Sequence, residues 1–239
     1  MVYNSIAGGL LQALKSGQRC QLCGDHCSTG DDFCTPCRHD LPWLPPGCYR
    51  CAIPLPDPDE TLLCGNCLSE PPHFHRTEAA WLYQPPLAKL IADYKYHRKF
   101  YYGRSLALLL AERLLSAYRE EPLPDVITSV PLHWRRRLRR GFNQSELVAL
   151  EVGKCLALQY QPLLKRIRTT AQQQGLDAQQ RSRNLRGAFT CCGPLRGKRV
   201  ALVDDVMTTG STANEISRTL LKAGASEVHL WCLARTPRH

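Results

Sequence analysis

No apolar run in this 239-residue chain approaches the roughly 20 residues that a membrane-spanning helix needs. The longest, such as Leu106–Ala111, fall far short, so no membrane insertion is expected. A basic leader and a small-residue cleavage site are also missing. The apolar patch within Met1–Leu14 (Ile6, Leu10, Leu11, Leu14) therefore reads as a short helix and not as an export signal. No G-x-x-x-x-G-K-S/T motif occurs, because Gly197-Lys198 precedes a strand-like run; this excludes a Walker-type nucleotide loop. Low-complexity tracts are absent. What remains is a globular, cytoplasmic protein with room for one ordinary domain and a small extra one.

Acidic residues are scarce in the longer part of the chain. Residues 76–239 hold 13 Asp/Glu against 27 Lys/Arg, a balance of +14, whereas residues 1–75 hold 8 against 4, a balance of −4. The basic excess suits a polyanionic ligand, either a phosphate-rich small molecule or nucleic acid. Composition changes near residue 72, where Pro71-Pro72 marks a boundary. The expected organisation is a cysteine-rich module over 1–75 and an α/β domain over 76–239.

Nine of the 13 cysteines fall within residues 20–67, and eight of these form C-x-x-C pairs: Cys20/Cys23, Cys34/Cys37, Cys48/Cys51 and Cys64/Cys67. Two residues between thiolates let a tight turn present both sulfurs to one ion, and two turns complete a tetrahedral Cys₄ site. Without an export signal the pattern indicates metal and not disulfides. Two structural zinc ions follow, paired either sequentially or crosswise, with His26, Cys27 and His39 as spare ligands. A segment so poor in large apolar residues needs metal to hold its shape.

The second part reads as α/β. Strands are expected at Glu78–Gln84, Asp125–Val130, Leu163–Ile167, Ala188–Cys192, Val200–Val203 and Val228–Leu233. Helices are expected at Pro86–His97, Arg104–Tyr118, after Asn143 (with Glu146 three residues on), and at Ser211–Ala223 before Gly224. The continuous apolar runs are those of strands buried on both faces of a parallel sheet.

The most informative segment is Val200-Ala201-Leu202-Val203-Asp204-Asp205-Val206-Met207-Thr208-Thr209-Gly210-Ser211-Thr212. A buried strand leads to two acids, then a hydroxyl-rich loop opens a helix. Free N–H groups and the helix dipole make such a loop a phosphate cradle. Gly210 allows a turn that a Cβ obstructs. Two acids beside a phosphate site call for sugar hydroxyls or Mg²⁺.

This segment resembles the phosphoribosyl-pyrophosphate (PRPP) signature of type I phosphoribosyltransferases. With the four C-x-x-C pairs, the chain is similar to the ComF family of competence and DNA-utilisation proteins, including its GntX-like branch. Further matching segments are Tyr94-Lys95-Tyr96, Val130-Pro131-Leu132-His133, Arg140-Gly141-Phe142-Asn143-Gln144-Ser145, and Arg181–Phe189. The resemblance implies a type I phosphoribosyltransferase-like parallel sheet with flanking helices, preceded by a zinc-ribbon module. It implies that Asp204 and Asp205, the catalytic pair, bind the ribose hydroxyls. Met207, Thr208, Thr209, Gly210, Ser211 and Thr212 would complete the PRPP site, with Mg²⁺ bound alongside. The loop after Val130 would hold pyrophosphate through Arg135, Arg136, Arg139 and Arg140, with His133 beside them. Trp134 and Phe142 leave a nucleic-acid contact open for the same loop. Thr169–Arg181 matches a loop that closes over the reacting centre in the resembling enzymes, with Gln173, Gln174 and Arg181 as candidates.

The acceptor is not written in the sequence. Tyr94, Tyr96, Phe100, Tyr101 and Tyr102 serve equally as a stacking hood or as core, and Asp93 or Glu78 as a base. The expected role is PRPP binding in DNA uptake, in the use of external DNA or in nucleotide salvage, with pentosyl transfer as the possible reaction. The alternative is a non-enzymatic accessory that binds single-stranded DNA or a helicase.

Overall fold

The computed structural model of the chain describes residues 19–27, 30–56, 62–168 and 185–237, apart from the side chain of Arg139. Compaction divides it into two units, Met1–Pro42 and Trp43–His239. The composition change near residue 72 is thus not where the units part, and Cys48–Cys67 lies in the larger unit.

The small unit is turns around cysteine. Cys20 N–H donates to Asp25 O and Gly24 N–H to Cys20 O, closing a knuckle, and α1 (Thr35–His39) starts directly after Cys34. Helix α2 (Gly65–Ser69) repeats this arrangement after Cys64 in the larger unit.

The larger unit is built on a four-stranded parallel sheet, ordered β1 (Arg76–Leu82), β6 (Glu227–Arg235), β5 (Arg199–Met207) and β2 (Val126–Ser129). A separate antiparallel pair joins β3 (Leu164–Arg166) to β4 (Phe189–Cys191). Val200–Val203 and Leu230–Ala234 are fully buried, as continuous apolar runs require. Among the described residues, helices that connect the strands are α3 (Leu87–His97), α4 (Phe100–Ala117), α5 (Trp134–Arg140), α6 (Gln144–Cys155) and α7 (Ser211–Lys222). Helix α7 buries Ala213, Ile216 and Leu220 on one face. Leu44, Cys48, Cys51, Ile53 and Phe74 belong to the same apolar core as β5, β6 and α7.

Two elements differ from expectation. Strand β5 does not stop at the acids. It runs on to Met207, because β6 offers parallel partners that far, pairing Asp204 with Cys232 and Met207 with Arg235. The arginine-rich stretch is helical, not a loop. His133 accepts the Arg135 N–H as its N-cap, Gly141 ends it at φ +84°, and Arg and Leu are strong helix formers. Thr169–Arg181, with Gln173, Gln174 and Arg181, lies outside the described residues.

Candidate functional site

Strand β2 leaves the sheet after Ser129, while β5 continues for four more residues beyond that pairing. The exposed edge of β5 opens a cleft of about 340 Å³ at the carboxyl ends of the strands. Ligands of open α/β sheets bind in such crevices. Asp204, Asp205, Thr208 and Thr212 form its floor. Arg136, Arg140 and Arg166 contribute charge, and Lys95 reaches in from α3.

The two acids have different surroundings. Asp204 Oδ1 accepts from Ser145 Oγ at 3.1 Å and from the Asp205 amide at 2.9 Å. Burial, reinforced by the neighbouring carboxylate, pushes its pKa up to about 7. Asp205 is 5% exposed and meets Lys95 Nζ at 3.0 Å. Burial opposes the charge on Lys95, but the Asp205 carboxylate outweighs it and holds the lysine pKa above its ordinary value. Asp205 Oδ2 is buried and finds no hydrogen-bond partner among the described residues. A buried acceptor left unmade costs about 1–3 kcal/mol, so this oxygen is poised for a donor or a cation.

Past Asp205 the chain turns at Gly210, φ +77°, into α7, which has no side-chain N-cap. Its first N–H groups are therefore open to a ligand. The positive φ calls for glycine, and a Cβ at Gly210 would stand 2.7 Å from Met207 Cε, displacing that methyl, and 3.6 Å from the Phe74 ring. Thr209 Oγ1 and Ser211 Oγ pair at 2.9 Å, and Ser211 N–H reaches Thr209 Oγ1 only at 3.4 Å, a weak contact. A small hollow of about 30 Å³ lies within Met207–Ala213.

The predicted arginines separate. Arg140 donates to Gln144 Oε1 at 2.6 Å and lies over Tyr96, and it lines the cleft with Arg136. Arg135 stacks on Trp134 instead. The side chain of Arg139 is outside the described residues. His133 is buried, and its pKa is lowered by burial and then by Arg166, Arg135 and Arg136, which keeps the ring a neutral acceptor.

Among the aromatics, Tyr94 is core: its hydroxyl donates to Gln144 O at 2.9 Å, and its ring packs against Gly103. Tyr102 is also buried, while Tyr96, Phe100 and Tyr101 are exposed. Asp93 is taken up by Lys99 and His97, and Glu78 by Arg76 and Arg113; neither lines the cleft. Lys95, Arg166 and Tyr83 line the cleft without having been assigned a role from sequence.

The eight thiols form two groups, Cys20/Cys23/Cys34/Cys37 and Cys48/Cys51/Cys64/Cys67, and within each all sulfurs lie within 4.8 Å of one another. The sequential pairing is the one present. His26, Cys27 and His39 belong to neither group. Burial pushes the Cys51 and Cys67 thiols up. Four adjacent thiolates form there only around a cation, and tetrahedral sulfur geometry suits zinc. Both sets fit a structural zinc ion.

Comparison with known proteins agrees with this construction. The family model of the double zinc ribbon domain matches residues 13–68, and that of the phosphoribosyl transferase domain matches residues 165–239. The DNA utilization protein YhgH of Salmonella typhi is 43% identical over 192 residues, covering 79% of this chain and 84% of that protein. Competence protein F of Haemophilus influenzae is 40% identical over 178 residues, covering 72% and 78%. A purine phosphoribosyltransferase structure from Pyrococcus horikoshii Ot3 overlays 57% of this chain and 74% of its own at 24% identity, with a TM-score of 0.36. The chain therefore belongs to the ComF/GntX-like family, in which a double zinc ribbon precedes a phosphoribosyltransferase-type domain.

Proposed function

We propose that the cleft binds PRPP with Mg²⁺ and that the protein acts in DNA uptake or in the use of external DNA. The observation that carries this is the convergence of three anion- or hydroxyl-binding groups on one 340 Å³ cleft: the twin aspartates, the uncapped start of α7, and the arginines of α5. The 5′-phosphate would rest on the amides and hydroxyls of Thr208–Thr212. The ribose diol would donate to Asp204 and to the unpartnered Asp205 Oδ2. Arg136 and Arg140 would meet the pyrophosphate as planar forks, and Lys95 would balance Asp205 until the diol arrives. Mg²⁺, held by PRPP and the two aspartates, would supply charge that eases departure of pyrophosphate. If transfer occurs, the C1–O bond breaks with cation-like character and a nucleophile adds at C1; the protein's share is positioning and charge stabilisation.

Calorimetry with PRPP and Mg²⁺ tests this. The wild type should bind, and Asp205→Asn should lose at least about tenfold in affinity. No heat with the wild type would remove the reading. Pyrophosphate release against a panel of bases, as in nucleotide salvage, then separates an enzyme from a binder.

A second reading is favoured by the face around α5. Trp134 and Leu138 are exposed at 57% and 75%, Arg135 covers the Trp134 ring, and Phe142, which follows the helix, packs on Phe100. Aromatic rings among arginines suit single-stranded DNA, alone or alongside a helicase. Binding of an oligo-dT strand should fall steeply with salt and weaken in Trp134→Ala by about 1–3 kcal/mol. Indifference to both would exclude a direct contact on this face.

A further inference from the structure

We propose that the metal held by Cys48, Cys51, Cys64 and Cys67 sets the shape of the Thr208–Ser211 loop, with Arg235 as the positioning residue that connects the two. The inference gives the second zinc site a part in ligand binding, and in that respect it rests on the loop being the phosphate cradle.

Arg235 is the last residue of β6 and is 3% exposed. Among the described residues, its side chain meets no carboxylate. Nε donates to Cys51 O at 2.9 Å, and one terminal nitrogen donates to Met207 O at 3.2 Å, Thr208 O and Thr236 O at 2.8 Å. A buried guanidinium is costly unless its fork is filled. Here backbone carbonyls take Nε and one terminal nitrogen, so their positions fix one another. One of those carbonyls belongs to a metal-binding cysteine. Two others belong to the residues that lead into the loop.

The cysteine end is a turn whose sulfurs converge with those of Cys64 and Cys67 on one point. Cys51 O sits in the knuckle closed by Ala52 N–H to Cys48 O at 2.8 Å and Cys48 N–H to Ile53 O at 2.9 Å. Packing of Cys48, Cys51 and Ile53 into the core seats that turn, and metal ligation would lock its two sulfurs against those of Cys64 and Cys67, so loss of the metal frees the turn to shift.

Two further contacts run the same way. The Phe74 ring backs Gly210 together with the Met207 methyl. His73 N–H donates to Asn214 Oδ1 at 2.6 Å, in the first turns of α7, while Arg50 of the knuckle donates to Pro72 O at 3.2 Å. The loop therefore has two faces. One lines the cleft with the aspartates. The other lines a hollow of about 360 Å³ that also includes Cys51, Cys67, Phe74 and Arg235.

Backbone hydrogen exchange on the full chain tests the connection without any ligand. Zinc-replete wild type, chelator-treated wild type, Arg235→Met and Arg235→Lys are compared, with zinc content and thermal midpoint measured for each. Arg235→Met should keep its zinc, yet the amides of Asn214 and Thr236, which donate to Gly210 O and Met207 O at the two ends of the loop, should exchange on the order of tenfold faster or more. The Val200–Val203 amides should stay protected. Arg235→Lys, which retains one charged donor, should fall between. Chelation should loosen the same amides in the wild type and add little in Arg235→Met. Unchanged loop exchange in chelated wild type or in zinc-replete Arg235→Met overturns the proposal, as do additive effects of the two. Should Arg235→Met fail to fold, chelated wild type and Arg235→Lys decide alone. Calorimetry of the wild type with PRPP and Mg²⁺ is read separately: absence of heat removes the PRPP assignment, and the exchange result still judges the coupling.

Discussion

Asp204 shares one oxygen between Ser145 and the Asp205 amide, whereas Asp205 faces an ammonium group. The pKa of Asp204 stands near 7 against 3.8 for an ordinary aspartate. Because the folded pKa is raised, the folded chain binds the extra proton between those values. The contribution of this group to stability is then fully present near pH 4 and is lost as pH rises through about 7. Asp204→Asn keeps both accepted hydrogen bonds and removes the charge. It should match the wild type near pH 4.5 and exceed it by about 1–3 kcal/mol at pH 8 in urea unfolding. The same variant should bind PRPP more weakly. A wild type equally stable at both pH values, with no gain in the variant, would contradict this electrostatic picture.

At the scale of elements, the turn into α7 is the most constrained. Gly210→Ala meets both a positive φ and the Met207 methyl. It should cost about 1–3 kcal/mol of stability and weaken phosphate binding further, measured by thermal unfolding with and without inorganic phosphate. Much of this element was legible in the sequence: apolar run, acids, hydroxyls, glycine and helix appear in order within thirteen residues. Lys95 was not. It stands between two tyrosines on α3, and its partner Asp205 is distant along the chain, so no spacing rule brings them together. The extent of β5 was hidden for a similar reason, since its final residues are strand only because β6 pairs with them. The helix at Trp134–Arg140 was not legible because five near-adjacent arginines repel one another and leave no apolar periodicity; the caps His133 and Gly141 hold it instead.

For the whole molecule, the division at Pro42 has a practical outcome. Leu44, Cys48, Cys51, Ile53 and Phe74 pack into the core of the sheet. A fragment of residues 43–239 should fold cooperatively with one zinc ion. A fragment of 76–239, cut at the composition change, should lose that part of the core and aggregate or melt broadly. Calorimetric scans of the two fragments distinguish these outcomes; a sharp transition from the shorter one would show the second cysteine set to be dispensable.

Strand β6 lies between β1 and β5, yet it follows both in the chain. During synthesis β1 therefore waits without a neighbour, and the turn after Asp205 lacks its arginine until residues 227–235 leave the ribosome. Only β2 and β5 can pair before then; closure of the sheet and completion of the pocket are a single late event, and a nascent chain interrupted before it has neither.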